Sequence, residues 1–117
     1  MIIFKKKNKF NNNNRAKTTD GIRHDSGKEG TRWSFLLLQQ RLGTIQDLKR
    51  QVRFTLIPSQ YDENGKLLER EVSYVADFTY IKNDKLVVED VKGFKTPEYI
   101  IKRKMMLFLK DIKIHEV

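Results

Sequence analysis

The spacing of apolar residues between positions 27 and 42 predicts the first helix of the chain. Apolar residues recur there every three or four positions, so they share one helix face, and Gly43 is a typical helix end. Glu29 heads this mostly apolar face and should therefore point inward. The face consists of Glu29, Trp33, Leu36, Leu37 and Gln40.

Alternation of apolar and polar residues after this helix predicts β-strands. In the second of them, Asp77 lies on the face opposite to that of Tyr74, Ala76, Phe78 and Tyr80. The three predicted strands are residues 51–58, 67–81 and 86–92.

The turn between the second and third strands predicts their register. If Asn83 and Asp84 are the two loop residues, the strands form a hairpin in which Asp77 lies directly opposite Asp90. Because side chains alternate, Lys92 shares their face, whereas a one-residue slip would send Asp90 to the other face. Opposed side chains begin about 4.5–5.5 Å apart, and two carboxylates at that range repel each other unless a proton or a cation intervenes. The register therefore predicts a divalent cation at Asp77 and Asp90.

The C-terminal part of the chain predicts a second helix and a fourth strand. Thr96 can cap the helix, Pro97 can occupy its first position, and an apolar stripe continues to about Leu109. Residues 112–117 alternate again, and their position directly after a helix predicts a strand parallel to the third. The predicted fold is thus a single compact α/β domain of order αβββαβ, with a mixed central sheet flanked by helices.

Composition limits the classes of partner that this domain could bind. The chain of 117 residues can bury one core and carries a formal net charge of +9, which favours a polyanionic partner such as DNA. No apolar run approaches the ~20 residues of a membrane span, so we expect no membrane partner and a cytoplasmic location. The chain has no cysteine, which excludes thiolate zinc sites, and its two histidines, His24 and His115, lie far apart without ligand-like spacing. Any metal must therefore be held by oxygen.

Positive charge is concentrated near the N-terminus. Residues 1–17 are basic, polar and low in complexity, so we interpret them as a flexible arm preceding a domain of residues 18–117. The arm would neutralise phosphates without sequence preference, and its alternative interpretation is a solvated tail without function.

Three short segments carry a resemblance to a known superfamily. A carboxylate in the first helix, an Asp on an apolar strand, and Asp90-Val91-Lys92 on the next strand resemble the PD-(D/E)XK nucleases, whose fold is restriction-endonuclease-like. More narrowly, the chain resembles a family of small phage-encoded endonuclease-like proteins. The resemblance covers roughly residues 17–117 and is carried by residues 24–29, 74–78 and 88–97.

The resemblance implies a metal-dependent endonuclease that hydrolyses DNA phosphodiester bonds, with branched or junction DNA in phage replication or recombination as a candidate substrate. Asp77 and Asp90 would hold Mg²⁺, for which Mn²⁺ should substitute, and the carbonyl of Val91 would add an oxygen. Lys92 would orient the attacking water or offset charge in the transition state. Glu29 would bind a second metal ion or a coordinated water.

Basic residues around this site are candidates for contacts with DNA phosphates. An enzyme of this type would act in the cytoplasm of the bacterial host, and it would need to form a homodimer to cut two strands symmetrically. The candidate contacts are Arg15, Lys17, Lys28, Lys95, Lys102, Arg103 and Lys104.

Each assignment has a structural alternative. Ser26 and Glu29 match a capping box, in which Glu29 would only stabilise the helix start. Asp90 and Lys92 could form an ordinary ion pair on an exposed strand, and Asp77 could bind backbone amides. For the whole protein, the alternative is a non-catalytic basic module that binds nucleic acid through the arm and the second helix. A structural protein that uses its charge for solubility would leave the Asp77, Asp90 and Lys92 arrangement unexplained.

Overall fold

The computed structural model of the protein describes residues 16–17, 23–24 and 27–117, where two helices flank a mixed β-sheet. No helix in these ranges is long and apolar enough to cross a membrane. The elements in chain order are β1 (Ala16–Lys17), β2 (Arg23–His24), α1 (Gly27–Arg41), β3 (Gln46–Ile57), β4 (Gln60–Tyr61), β5 (Leu67–Glu69), β6 (Val72–Lys82), β7 (Lys85–Asp90), α2 (Pro97–Lys110) and β8 (His115–Glu116).

The central sheet has the strand order β3-β6-β7-β8. β3, β6 and β7 pair in antiparallel fashion, and β8 runs parallel to β7. The α/β class and the order αβββαβ of the main elements are thereby confirmed, including the parallel last strand. Two short strand pairs, β1 with β2 and β4 with β5, are additional to the prediction.

The predicted second strand is divided in the structure. β5 pairs with β4 in a separate small hairpin, and β6 begins only at Val72. The backbone N–H of Glu71, between the two, donates to the Ser59 hydroxyl. The alternation of residues is continuous over 67–81, but its two halves form separate strands with different partners.

The hairpin of β6 and β7 has the register that its turn predicts. The pairs run from Lys82 with Lys85, through Ile81 with Leu86, to Phe78 with Glu89. Asn83 and Asp84 both have positive φ angles, 53° and 65°, as a type I′ two-residue turn requires. The next step of this register places Asp77 opposite Asp90.

Two hydrophobic clusters cover opposite faces of the sheet. One contains Tyr99 and Met106 of α2 with Tyr74 and Ala76 of β6, and the other contains Trp33 of α1 with later residues of β6. The members of the second cluster are Trp33, Leu36, Ile45, Phe78 and Tyr80.

The prediction that Tyr74, Ala76, Phe78 and Tyr80 share one face is therefore wrong. Tyr74 and Ala76 belong to the cluster of α2, whereas Phe78 and Tyr80 belong to the cluster of α1. The alternation of β6 therefore breaks between Ala76 and Phe78. The residue between them is Asp77. The predicted site therefore lies where the paired strands β3 and β6 stop packing against one helix and begin to pack against the other.

α2 begins and ends at capped residues. The hydroxyl of Thr96 accepts a hydrogen bond from the Tyr99 N–H at 3.1 Å, and Pro97 occupies the first turn. At the other end, Asp111 adopts a left-handed conformation and its N–H donates to the carbonyl of Leu107. The predicted boundaries of this helix are confirmed to within one residue.

The Thr96 cap gives a first testable prediction. Thr96→Ala should lower the free energy of unfolding by about 1 kcal/mol, because it leaves an N–H of the first turn without its acceptor. Urea denaturation of the purified protein measures the change. Thr31→Ala, at an exposed position within α1, is the control and should be neutral or slightly stabilising, since Ala is the better helix former. Equal losses in both variants would contradict the capping role.

Candidate active site

Asp77 and Asp90 are adjacent acidic side chains in the protein interior, 1% and 2% exposed respectively. Asp77 Oδ2 accepts a hydrogen bond from the Val91 N–H at 2.8 Å, and Asp90 Oδ2 accepts one from the Tyr74 hydroxyl at 2.6 Å. Each carboxyl group thus has one oxygen fixed by a donor of the sheet. The contact with Val91 is made by its N–H, and it matches the alternative in which Asp77 binds a backbone amide.

The second oxygen of Asp90 has no such donor. Oδ1 is buried and accepts no hydrogen bond from any described residue, and the Lys92 ammonium lies 3.6 Å from it. Burial and the neighbouring carboxyl of Asp77 raise the pKa of Asp90 to about 8, although the Tyr74 hydroxyl and Lys92 act in the opposite direction. The pair therefore requires a shared proton or a cation near neutral pH.

Lys92 lies two residues after the end of β7, and its side chain extends towards Asp90. Its Nζ lies 3.6 Å from Asp90 Oδ1 and 4.3 Å from the centre of the Tyr99 ring. Its backbone carbonyl accepts a hydrogen bond from the Lys28 ammonium at 3.4 Å. The ion pair with Asp90 is partly buried, unlike the exposed pair of the structural alternative.

Glu29 is brought to Asp77 by a residue that the sequence did not single out. Gln51 Nε2 donates to Glu29 Oε2 at 3.2 Å and to Asp77 Oδ1 at 3.5 Å. The flanking pairs of β3 with β6, Arg50 with Phe78 and Val52 with Ala76, place Gln51 directly opposite Asp77. Gln51 has a φ of 53°, so the backbone departs from extended geometry at this point on β3 as well.

The position of Glu29 agrees with an inward-facing residue in the first turn of α1, where it is buried. Its capping alternative depends on Ser26, which lies outside the described residues. Gln51 was interpreted only as the first residue of a strand. No pattern in the neighbouring sequence identifies Gln51 as a site residue, because its role depends on pairing with Asp77, 26 positions later in the chain.

A partly buried ion pair lies next to the site, at the residue that precedes Asp90. Arg32 of α1 holds both oxygens of Glu89, with Nε to Oε1 at 2.9 Å and Nη2 to Oε2 at 2.7 Å, and the Tyr80 hydroxyl also donates to Glu89. Burial raises the pKa of Tyr80, so its hydroxyl remains a donor. The pair connects α1, which carries Glu29, to the residue preceding Asp90.

The side-chain atoms at the site that could bind a metal ion are carboxylate oxygens, which hard divalent cations prefer. Across the described part of the chain, no three or more His, Cys, Asp or Glu side chains are grouped so that they could hold a metal ion. The carboxylates of Glu29 and Asp77 are bridged instead by the amide of Gln51. The buried Asp90 Oδ1 is the oxygen best suited to accept a cation, because it makes no hydrogen bond to the described donors.

A family model described as a protein of unknown function, DUF1064, matches residues 7–117. The chain belongs to the DUF1064 family. No curated protein and no solved structure matches it. The family description names no activity for this DUF1064 chain.

The candidate DNA contacts of the DUF1064 chain divide into two groups around the site. Lys95 and Arg103 meet at Glu116, with Lys95 Nζ 3.8 Å from Oε1 and Arg103 Nη1 3.1 Å from Oε2. Because Glu116 pairs with Asp90 across the β7–β8 ladder, this group lies beside the acidic pair. Lys28 lies on the other side, against the carbonyl of Lys92.

Lys102, one of the candidate DNA contacts, is not at the surface as such a contact would require. Its side chain is buried on the inner face of α2, one turn from Met106, and its Nζ lies 3.5 Å from Glu98. Burial lowers its pKa. Lys104 is exposed. Arg15 lies outside the described residues, and Lys17 forms part of β1 but its side chain is not described.

The predicted arm of residues 1–17 also falls mostly outside the described part of the chain. Its last two residues form β1 and pair with β2. The described part of the chain therefore includes these two residues of the predicted arm.

Proposed function

We propose that this DUF1064 chain is a Mg²⁺-dependent endonuclease that hydrolyses phosphodiester bonds in DNA, with a restriction-endonuclease-like fold. The observation that carries the proposal is the buried pair of Asp77 and Asp90 with Lys92 at 3.6 Å from the unsatisfied oxygen of Asp90. Two adjacent carboxylates in the protein interior lower its stability unless they bind a cation or share a proton. Perturbed acidic groups of this kind are concentrated at functional sites.

The residues at the site fit a hard cation. Asp77 and Asp90 would hold Mg²⁺, with Glu29 on the other side of Asp77 and the Val91 carbonyl as a further candidate oxygen. When bound, Mg²⁺ supplies charge that stabilises the phosphate oxygens and lowers the pKa of water. Tyr74 and the Val91 N–H fix one oxygen of each Asp, so the other oxygens keep a defined direction.

Lys92 supplies the positive charge that the protein itself contributes to the reaction. Its ammonium is held between the Asp90 carboxyl and the Tyr99 ring, so it is oriented before substrate binds. From this position it would donate a hydrogen bond to the attacking water or to a phosphate oxygen as negative charge develops. The Lys28 ammonium at the Lys92 carbonyl would contact a flanking phosphate.

The fold supports the same proposal. The register of the β6–β7 hairpin brings Asp77 opposite Asp90 at the end of β7, and Lys92 follows two residues later, which is the pattern of the superfamily that the chain resembles. The net charge of +9 favours DNA as the substrate. If the protein is phage-encoded, as the resemblance implies, it would act in the cytoplasm of a bacterial host. A homodimer would be required if both strands of a duplex or a symmetric junction are cut.

Cleavage assays test the proposal. Supercoiled, linear, single-stranded and branched DNA are incubated with the protein in Mg²⁺, Mn²⁺ or EDTA, and we expect cleavage with either metal and none in EDTA. Lys92→Met should lower the rate about a hundredfold, the effect of removing one transition-state donor. Lys82→Met, at the exposed end of the β6–β7 hairpin, is the matched control and should retain full activity.

The non-catalytic alternative gives a different result in the same assays. A module that only binds nucleic acid would retain its affinity for DNA in EDTA and would cleave none of the four substrates. That outcome would overturn the nuclease proposal.

A further inference from the structure

The side-chain amide of Gln51 occupies an unusual position between two acidic groups. Its single nitrogen, Nε2, donates to Glu29 Oε2 at 3.2 Å and to Asp77 Oδ1 at 3.5 Å. The amide nitrogen thus lies where it offsets the repulsion between two buried carboxylates without carrying a charge. A divalent cation between the same two groups would have the same effect with greater strength.

The backbone at Gln51 directs this side chain. Its φ of 53° is in the left-handed region, which residues other than Gly, Asn and Asp seldom adopt. In β3, Leu48 packs against the cluster of α1 and Phe54 against the cluster of α2, although regular alternation would place both on one face. The strand therefore changes face near Gln51, as β6 does at Asp77. Backbone strain retained at a residue that contacts two candidate metal ligands is typical of functional sites.

A side-chain amide can interact with a pair of carboxylates both with and without a metal ion. Its NH₂ group donates hydrogen bonds, and its carbonyl oxygen accepts them or binds hard cations. The nitrogen faces Glu29 and Asp77 in this structure, so a cation between them would repel it. Rotation of the amide about its last side-chain bond would exchange the nitrogen for the oxygen with little movement of the rest of the residue.

We propose that Gln51 supplies a neutral oxygen ligand to a divalent cation held between Glu29 and Asp77, and that its amide bridges the two carboxylates in the metal-free protein. The proposal rests on the metal dependence of the proposed function. It extends the site to a residue of β3, so that α1, β3 and β6 each contribute one group. A neutral ligand suits this position because the site already contains three carboxylates, Glu29, Asp77 and Asp90.

The test measures metal binding and stability rather than cleavage. Isothermal titration with Mn²⁺ and thermal denaturation without metal are carried out on Gln51→Gly and Gln51→Glu. Gly accepts the positive φ without strain, which offsets part of the stability lost with the amide bridge. We expect Gln51→Gly to bind Mn²⁺ at least about tenfold more weakly, in the range seen when groups supporting a metal site are removed. Gln51→Glu should bind Mn²⁺ as tightly as the wild type or more tightly.

The metal-free melting temperatures provide the second readout. Gln51→Glu should melt lower than the wild type without metal, because a third acidic group faces Glu29 and Asp77, and Mn²⁺ should reverse the loss. Gln46→Ala, an exposed Gln at the start of the same strand, is the control and should change neither quantity.

The outcomes separate this proposal from the nuclease function. Unchanged or tighter Mn²⁺ binding by Gln51→Gly would overturn the role of Gln51 even if the wild type cleaves DNA. If the wild type binds Mn²⁺ and Gln51→Gly does not, but no DNA is cleaved, the nuclease proposal fails and the Gln51 ligand stands. Absence of Mn²⁺ binding by the wild type would overturn both.

Discussion

Asp90→Asn is expected to stabilise the metal-free protein by about 1–3 kcal/mol at pH 8 while lowering DNA cleavage at least about a thousandfold. The two effects have one origin. Asp90 is buried beside Asp77, with one oxygen that accepts no hydrogen bond from the described residues. An Asn there loses the charge and gains an NH₂ that can donate to Asp77, while its oxygen can still accept from Tyr74.

The pH dependence of this gain follows from the pKa of Asp90. Because the folded-state pKa is raised from 3.8 to about 8, the folded protein binds a proton more tightly than the unfolded chain does. The wild type therefore loses stability relative to the Asn variant as pH rises from about 4 to about 8. Below pH 4, Asp90 is protonated in both states and the gain should disappear.

Chemical denaturation of both proteins at pH 4.5, 6 and 8 in EDTA measures this difference. Added Mg²⁺ should then narrow it at pH 8, because the wild type gains binding free energy that the variant lacks. A variant that is less stable than the wild type at pH 8 without metal would show that the charge of Asp90 is favourable, as in a simple ion pair with Lys92. A variant that retains cleavage would remove Asp90 from the active site.

The parts of the fold that depend on nearby residues could be predicted from the sequence. Asn83 and Asp84 determine a two-residue turn, and this turn determines the register that brings Asp77 to Asp90. Thr96 and Pro97 mark the start of α2 through hydrogen bonding and backbone geometry within one helical turn. In each case the cause lies within a few positions of the effect.

The parts that depend on distant residues could not be predicted in the same way. Gln51 reaches Glu29 and Asp77 only because β3 pairs with β6, and no tight turn connects those strands. The change of face at Asp77 follows from the contact of each half of β6 with a different helix. Lys102 was expected at the surface because it lies in a run of basic residues, whereas the rotation of α2 buries it with Met106.

The ion pair of Arg32 and Glu89 is the second feature for which we expect a large effect. Glu89 is fully buried and receives two hydrogen bonds from Arg32, whose side chain is 23% exposed. Arg32→Ala leaves a buried carboxylate with the Tyr80 hydroxyl as its remaining side-chain donor among the described contacts. Removing one partner of a buried pair typically lowers the free energy of unfolding by about 3–5 kcal/mol.

Lys49→Ala is the matched control for this prediction. Lys49 and Asp47 are also paired, at 3.5 Å, but both side chains are 60% exposed, so the loss should stay below about 1 kcal/mol. Urea denaturation of Arg32→Met, Glu89→Leu and Arg32→Met/Glu89→Leu completes a double-mutant cycle. The double variant should be more stable than the sum of its single changes, because it leaves no unpaired charge in the interior.

The same pair should also influence the active site, because it joins the helix of Glu29 to the strand of Asp90. Arg32→Ala is therefore expected to weaken Mn²⁺ binding as well as stability, even under conditions in which the variant is fully folded. The double variant restores the packing between α1 and β7 without the charges, so it should recover part of the metal affinity. If it recovers stability but none of the affinity, the charge of Arg32 rather than the placement of α1 supports the site. If Arg32→Ala lowers stability and leaves metal affinity unchanged, the pair serves the fold alone.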